Sequence, residues 1–173
     1  MKRFVAFAPL ALLVIVVAVA IVMLTRGGER QTVSDGRIGR PAPVFELTRL
    51  DGGAPLTNEA MAGRAYVINV FASWCAPCRA EHPQLMAMRE QGVEIVGVAY
   101  KDEPGAAAAF LNELGDPFRV VVLDPEGRFG LDLGTAGVPE TFVIGADGTI
   151  RAVHRGPLTP DVIARTIAPA LAR

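Results

Sequence analysis

Both cysteines of this 173-residue chain lie in one pentapeptide, Trp74-Cys75-Ala76-Pro77-Cys78. The apolar run Tyr66-Val67-Ile68-Asn69-Val70-Phe71 precedes it and reads as a buried strand, and a helix-compatible segment through Arg79, Glu81 and Leu85 follows. A C-x-x-C at such a junction puts the first thiol at a helix N-terminus. There the unpaired backbone N–H groups and the positive end of the helix dipole favour thiolate over thiol. The second sulfur, one turn on, is within reach to close a disulfide, which is a reversible two-electron switch.

The same spacing also serves metals. Structural zinc needs four ligands, and the chain offers no third cysteine and only two histidines, His82 and His154. Covalent haem attachment needs histidine at the fifth position, which here is Arg79. A Cu(I) site built from Cys75, Cys78 and His82 stays open, because these positions fall near one helical face and thiolates are soft ligands. Against two merely inert buried cysteines stand Pro77 between them and Trp74 before them. Redox chemistry is the leading reading, with no metal or organic cofactor expected beyond the Cys75–Cys78 disulfide itself.

The elements that must position this motif can be read in order. The pattern predicts an entry strand over 44–47, a short helix over 58–61, the buried strand over 65–71 and a long helix over 77–91. A second buried strand follows over 93–100, then an alanine-rich helix between Glu103 and a stop at Gly115, and a strand over 120–123. Asp124-Pro125-Glu126-Gly127 is a turn signal. Residues 141–145 and 149–154 make a hairpin about Asp147-Gly148, and Thr159 caps a last helix with Pro160 at its first position. Strands alternating with helices, ending in a hairpin and a helix, predict an α/β fold: a mixed sheet covered by helices on both faces.

Three segments make up the chain: an N-terminal transmembrane anchor over 1–25, a linker over 26–39 and one domain over 40–173. The run 4–24 carries no charge, and at about 1.5 Å per residue it is roughly 31 Å long, enough for a hydrocarbon core. Ala18-Val19-Ala20 resembles a signal cleavage site, but the apolar run continues past it and exceeds a signal-peptide core, so an uncleaved anchor is expected. Lys2 and Arg3 on one flank and Arg26, Arg30, Arg37 and Arg40 on the other do not choose an orientation by count. The linker, with paired glycines and few apolar residues, reads as a flexible tether. A net charge of −1 points to no nucleic-acid partner.

The W-C-x-P-C motif together with Gly137-Val138-Pro139-Glu140-Thr141 resembles the thioredoxin superfamily. The helix and strand inserted between the second buried strand and the hairpin resemble its bacterial membrane-anchored branch. Within that branch, Cys78-Arg79-Ala80-Glu81-His82, Val98-Ala99-Tyr100-Lys101-Asp102, Gly130-Leu131-Asp132-Leu133-Gly134 and the G-V-P-E-T-F string ending at Phe142 are similar to the CcmG/DsbE thiol-disulfide reductases of cytochrome c maturation. The resemblance covers nearly the whole chain, anchor included.

The resemblance implies a thioredoxin-like fold with the bond before Pro139 in cis. It also implies an inner-membrane protein with its catalytic domain in the periplasm. The partners implied are a disulfide in apocytochrome c or its haem-ligation chaperone and a transmembrane dithiol electron donor of the DsbD/CcdA kind. Cys75 is then the exposed nucleophile and Cys78 the deeper resolving thiol. Pro77 tunes the motif. Val138 offers backbone groups to an extended substrate strand, and Trp74 forms an apolar wall of the docking surface, with core packing as its plain alternative. Asn69 stands where thioredoxin carries a buried aspartate, so the acid that serves Cys78 is sought in Glu81, one turn after it, or in Glu140, after Pro139. The plain alternative for Glu81 is a solvated helix face. His82 is expected on the helix surface or facing a partner, and Tyr100 and Lys101 at the end of a strand near the docking edge. A broader envelope disulfide reductase, a Cu(I) metallochaperone and a noncatalytic apocytochrome-binding module are the competing functions.

Overall fold

The computed structural model describes Leu13, Val16, Val17 and residues 36–172. The expected anchor and most of the linker lie outside the described residues. Among those described, no helix is long and apolar enough to cross a membrane. The chain divides into two units, Met1–Asp35 and Gly36–Arg173, and the fold is that of the second.

Its centre is β3 (Tyr66–Phe71), whose six residues are all buried. On one side it pairs in parallel with β4 (Ile95–Tyr100), which in turn pairs in parallel with β5 (Val120–Asp124). Parallel neighbours need crossovers, and helices α1 (Ala76–Glu90) and α2 (Pro104–Leu114) supply them. On the other side β3 pairs antiparallel with β6 (Glu140–Ile144), and β6 with β7 (Ile150–Arg155). Gly148 takes φ +78° in the turn between β6 and β7, a conformation that costs glycine nothing. The sheet order is β5-β4-β3-β6-β7. The mixed sheet and hairpin of the expectation are present.

Alternation along the strands decides what each face can hold. In β3, Val67 and Phe71 join the core beneath α1, α2 and the terminal helix, whereas Tyr66, Ile68 and Val70 join the core on the opposite face. Asn69 therefore points to the α1 face, and by the same rule Thr141 does and Glu140 does not.

Several elements differ from expectation. The entry strand is only Glu46–Leu47 (β1), paired antiparallel with an unexpected Leu56–Thr57 (β2). Backbone bonds from Leu50 N to Val121 O and from Leu123 N to Thr48 O cover one sheet edge. Those from Gly39 N to Ile150 O and from Ala42 N to Gly148 O cover the other. The last residues of the expected tether are thus packed against the sheet.

After the turn at Asp124 comes an additional helix, α3 (Arg128–Leu133), tied by Phe129 N and Gly130 N donating to the Asp124 carboxylate. The terminal helix starts as expected, with Thr159 Oγ1 accepting from Val162 N. It runs through a π-helical stretch, Ile163–Ile167, between Pro160–Val162 and Ala168–Leu171.

Candidate active site

Between β3 and α1 the chain makes a tight turn in which Cys75 N donates to Ala72 O at 3.2 Å. Cys75 is the N-cap of α1, and its Sγ accepts from Cys78 N at 3.1 Å. A first-turn amide aimed at that sulfur, with the helix dipole behind it, stabilises negative charge there. Pro77 sits in the first turn, where the missing N–H costs no helical bond. Cys75 and Cys78 are joined as a disulfide, with Cα atoms 5.3 Å apart. The expectation of an exposed Cys75 is corrected: in this oxidised form it is 4% exposed and Cys78 1%. The apolar residues gathered round the pair, with Val138 packed against them, account for this.

The peptide bond between Val138 and Pro139 is cis, as the resemblance implies. Two clasps hold this loop. Pro139 O accepts from Gly156 N at 3.0 Å. Glu140 Oε1 accepts from Ala136 N at 3.0 Å and pairs with Arg155 Nε at 3.2 Å, its opposite neighbour on β7. Glu140 is buried on the face of the sheet away from α1, in the company of a cation.

Glu81 is buried on the α1 face, not solvated. Its Oε1 accepts from Asn69 Nδ2 at 2.9 Å and its Oε2 from Leu158 N at 2.7 Å, while Asn69 Nδ2 also lies 3.2 Å from Thr141 Oγ1. Burial pushes the carboxyl up to about 7, against the pull of the Asn69 and Leu158 donors. An acid one turn beyond Cys78, on the same helix face, that gains and loses a proton near neutrality can exchange protons with a thiol.

His82 is a correction. It is buried; its Nε2 is 2.9 Å from Gly115 O and its ring meets Phe110 edge-on at 5.3 Å. The α2 helix covers it, so it faces no partner, and burial lowers its pKa. Among the described residues, no group of three or more His, Cys, Asp or Glu is gathered as metal ligands.

Trp74 is 61% exposed, with its Nε1 donating to Lys101 O at 3.1 Å, which places it at the surface beside the disulfide rather than in the core. Tyr100 ends β4 and Lys101 follows it, as expected. Sequence reasoning missed Leu158, whose amide completes the Glu81 site, along with Arg155, Ser73 and Asp102. For Asn69 a signal existed: alternation from Val67 and Phe71 aims it at α1. The Leu158 and Arg155 contacts join elements far apart in the chain, and no local pattern announces them.

A model of the redoxin family matches residues 37–168. The thiol:disulfide interchange protein HelX of Rhodobacter capsulatus is 47% identical over 135 residues, covering 78% of this chain and 77% of that one. The thiol:disulfide interchange protein DsbE of Escherichia coli K12 is 38% identical over 174 residues, covering 98% and 94%. Among solved structures, a thiol:disulfide interchange protein of the thioredoxin family from Chlorobium tepidum superposes with a TM-score of 0.64 at 32% identity, covering 79% of this chain and 99% of that one. The chain belongs to the redoxin family, among the thiol:disulfide interchange proteins of the DsbE/HelX type.

Proposed function

We propose that this protein is a membrane-tethered thiol:disulfide oxidoreductase of the bacterial periplasm. It reduces disulfides in apocytochrome c or its haem-ligation chaperone, and a transmembrane dithiol donor of the DsbD/CcdA kind re-reduces it. The observation that carries the reading is the Cys75–Cys78 disulfide at the start of α1, with Val138 of the cis-proline loop packed against the surrounding apolar cluster. The likeness to DsbE and HelX along most of the chain supports the narrower substrate class. The uncharged run 4–24 supports the tether in the inner membrane.

In the reduced protein the Cys75 thiolate attacks one sulfur of the substrate disulfide. The substrate S–S bond breaks, its other sulfur leaves as a thiolate and takes a proton, and a mixed disulfide forms. Cys78 loses its proton to Glu81 and attacks the Cys75 sulfur. The mixed bond breaks, the second substrate sulfur leaves and is protonated, and the Cys75–Cys78 disulfide results. Substrate gains two electrons and two protons: both electrons come from the two enzyme sulfurs, one proton is the one Cys78 passed to Glu81, and the other comes from solvent, because Cys75 began as the thiolate. Pro77 and Pro139 fix the geometry, Val138 offers its backbone to an extended substrate, and Trp74 walls the docking surface. Glu140 acts on the loop it clasps rather than on a sulfur.

Cys78→Ser should trap a mixed disulfide on Cys75 with an apocytochrome or its chaperone. If only Cys75→Ser traps one, the two roles are reversed; if neither does, the substrate class is wrong.

A further inference from the structure

The turn that carries Trp74 and Cys75 is gripped from outside by the loop after β4. Ser73 and Trp74 are the two central residues of the turn closed by Cys75 N and Ala72 O. Ser73 N donates to Asp102 Oδ2 at 2.6 Å and Ser73 Oγ to Asp102 Oδ1 at 2.8 Å, and Glu103 N donates to the same Oδ1 at 3.0 Å. Asp102 is buried, so these are charge-assisted bonds shielded from water. The second central residue is held by its indole, through Trp74 Nε1 and Lys101 O.

Lys101 is itself set in an uncommon conformation. Its φ is +48°, the only positive value of a non-glycine residue among those described, and its N–H is fixed on Asp124 O at 2.9 Å. For a lysine that region is unfavourable and persists only where surroundings over-determine it. The conformation goes with a carbonyl that takes the indole. An exposed tryptophan on a free loop would sample many rotamers and lose them on docking; one held at both ends has little left to lose.

We infer that Asp102 is a positioning residue: through Ser73, and together with the Lys101 carbonyl, it clamps Trp74 into a fixed wall against which a polypeptide disulfide docks beside Cys75. Neither residue touches the reacting sulfurs. Their effect falls on how well a chain-like substrate is held, so a small substrate, which meets less of the Trp74 wall, depends on it less. This inference rests on the functional reading above.

Trp74 is the one tryptophan of the chain, so its fluorescence anisotropy decay reports the clamp directly. The full chain in detergent is compared with Asp102→Asn and, as a milder cut that keeps the carboxylate, Ser73→Ala. Two probes are reduced: a synthetic peptide closed by a Cys-x-x-Cys disulfide, and oxidised glutathione. Expected for Asp102→Asn is a new fast component in the Trp74 decay and a KM for the peptide raised roughly tenfold with kcat kept, as loss of a charge-assisted bond allows. Glutathione reduction should change less than the peptide KM. Ser73→Ala should show the same pattern more weakly, and Ser73→Thr, which keeps the hydroxyl, should restore it. An unchanged Trp74 decay in both variants overturns the inference, as does an equal loss of kcat on both probes. A wild-type chain that reduces neither probe sinks the functional reading instead, and the anisotropy comparison alone then judges the clamp.

Discussion

Glu81 and Glu140 reach the central sheet at neighbouring register rows, Asn69 beside Thr141 and Val70 beside Glu140, but on opposite faces. Among the described residues Glu81 meets neutral donors, a side-chain amide and a backbone N–H, and burial lifts it to about 7. Glu140 meets the Arg155 cation and a backbone N–H of the loop before the cis-proline. These two buried carboxylates differ in the charge of their partners. Burial beside neutral donors lifts Glu81 into the range where it is able to trade protons, whereas the Arg155 cation and the Ala136 amide make Glu140 a clasp on its loop.

The largest expected effect comes from removing the titrating group. Glu81→Gln keeps the shape, and a flip of Asn69, whose Oδ1 accepts no hydrogen bond among the described residues, would receive the new amide. Resolution of the mixed disulfide at pH 7 should slow roughly a hundredfold, the size of a lost acid–base group, as read by stopped-flow Trp74 fluorescence. Stability carries the same signature. Because the folded pKa of Glu81 is raised from 4.5 to about 7, its contribution is full below about pH 4.5 and is lost as pH rises through 7. The change is about 3 kcal/mol. His82 works in the opposite sense: its lowered folded pKa gives stability present above its unfolded value and lost on acidification. Urea melts from pH 4 to 8 should therefore lose their decline toward high pH in Glu81→Gln and keep their acid limb. A decline that survives the substitution would deny Glu81 its titration.

Asn69→Asp turns the neutral partner into a second acid. The pair should then share a proton and titrate in two linked steps, with stability at pH 8 lower by roughly 2 kcal/mol than at pH 5 relative to wild type. A single unperturbed titration would mean that the side chains do not meet as described. Arg155→Met tests the other acid. Arg155 is half exposed, so losing the pair should cost only about 1–2 kcal/mol and leave the reduction potential within roughly 30 mV. A shift larger than the one caused by Glu81→Gln would erase the division between the two faces. Smallest is Arg165→Ala, which breaks the exposed Arg165–Asp161 pair and should change stability by less than about 0.5 kcal/mol.

Most of the frame was legible because it depends on patterns close together in the chain. The β3 run, the C-x-x-C followed by helix, the Asp147-Gly148 turn and the Thr159-Pro160 cap each announce themselves within a few residues. Helix α3 did not: six residues containing Gly130 show no helical period, and its anchor, Asp124, reads equally well as part of a turn. His82 was misplaced because its burial depends on α2 crossing over it, a tertiary event with no mark in the surrounding residues. Glu81 was legible as a candidate from its spacing to Cys78. Its two donors come from β3 and from the segment before the terminal helix, so its state could be read only from the fold. Asp102 was visible as part of a family-like string but not as a clamp, since its grip on Ser73 joins two loops that the sheet brings side by side.

The reduced Cys75–Cys78 dithiol is proposed to deliver electrons, and its equilibrium reduction potential decides the direction of the exchange. The full chain in detergent is titrated against glutathione, with Trp74 fluorescence reporting the Cys75–Cys78 state. The expected value is near that of thioredoxin, about −270 mV, at which the dithiol is a net reductant in an oxidising compartment. A value near −120 mV, that of a strong oxidant, would make the protein a disulfide donor and overturn the proposed direction of electron flow.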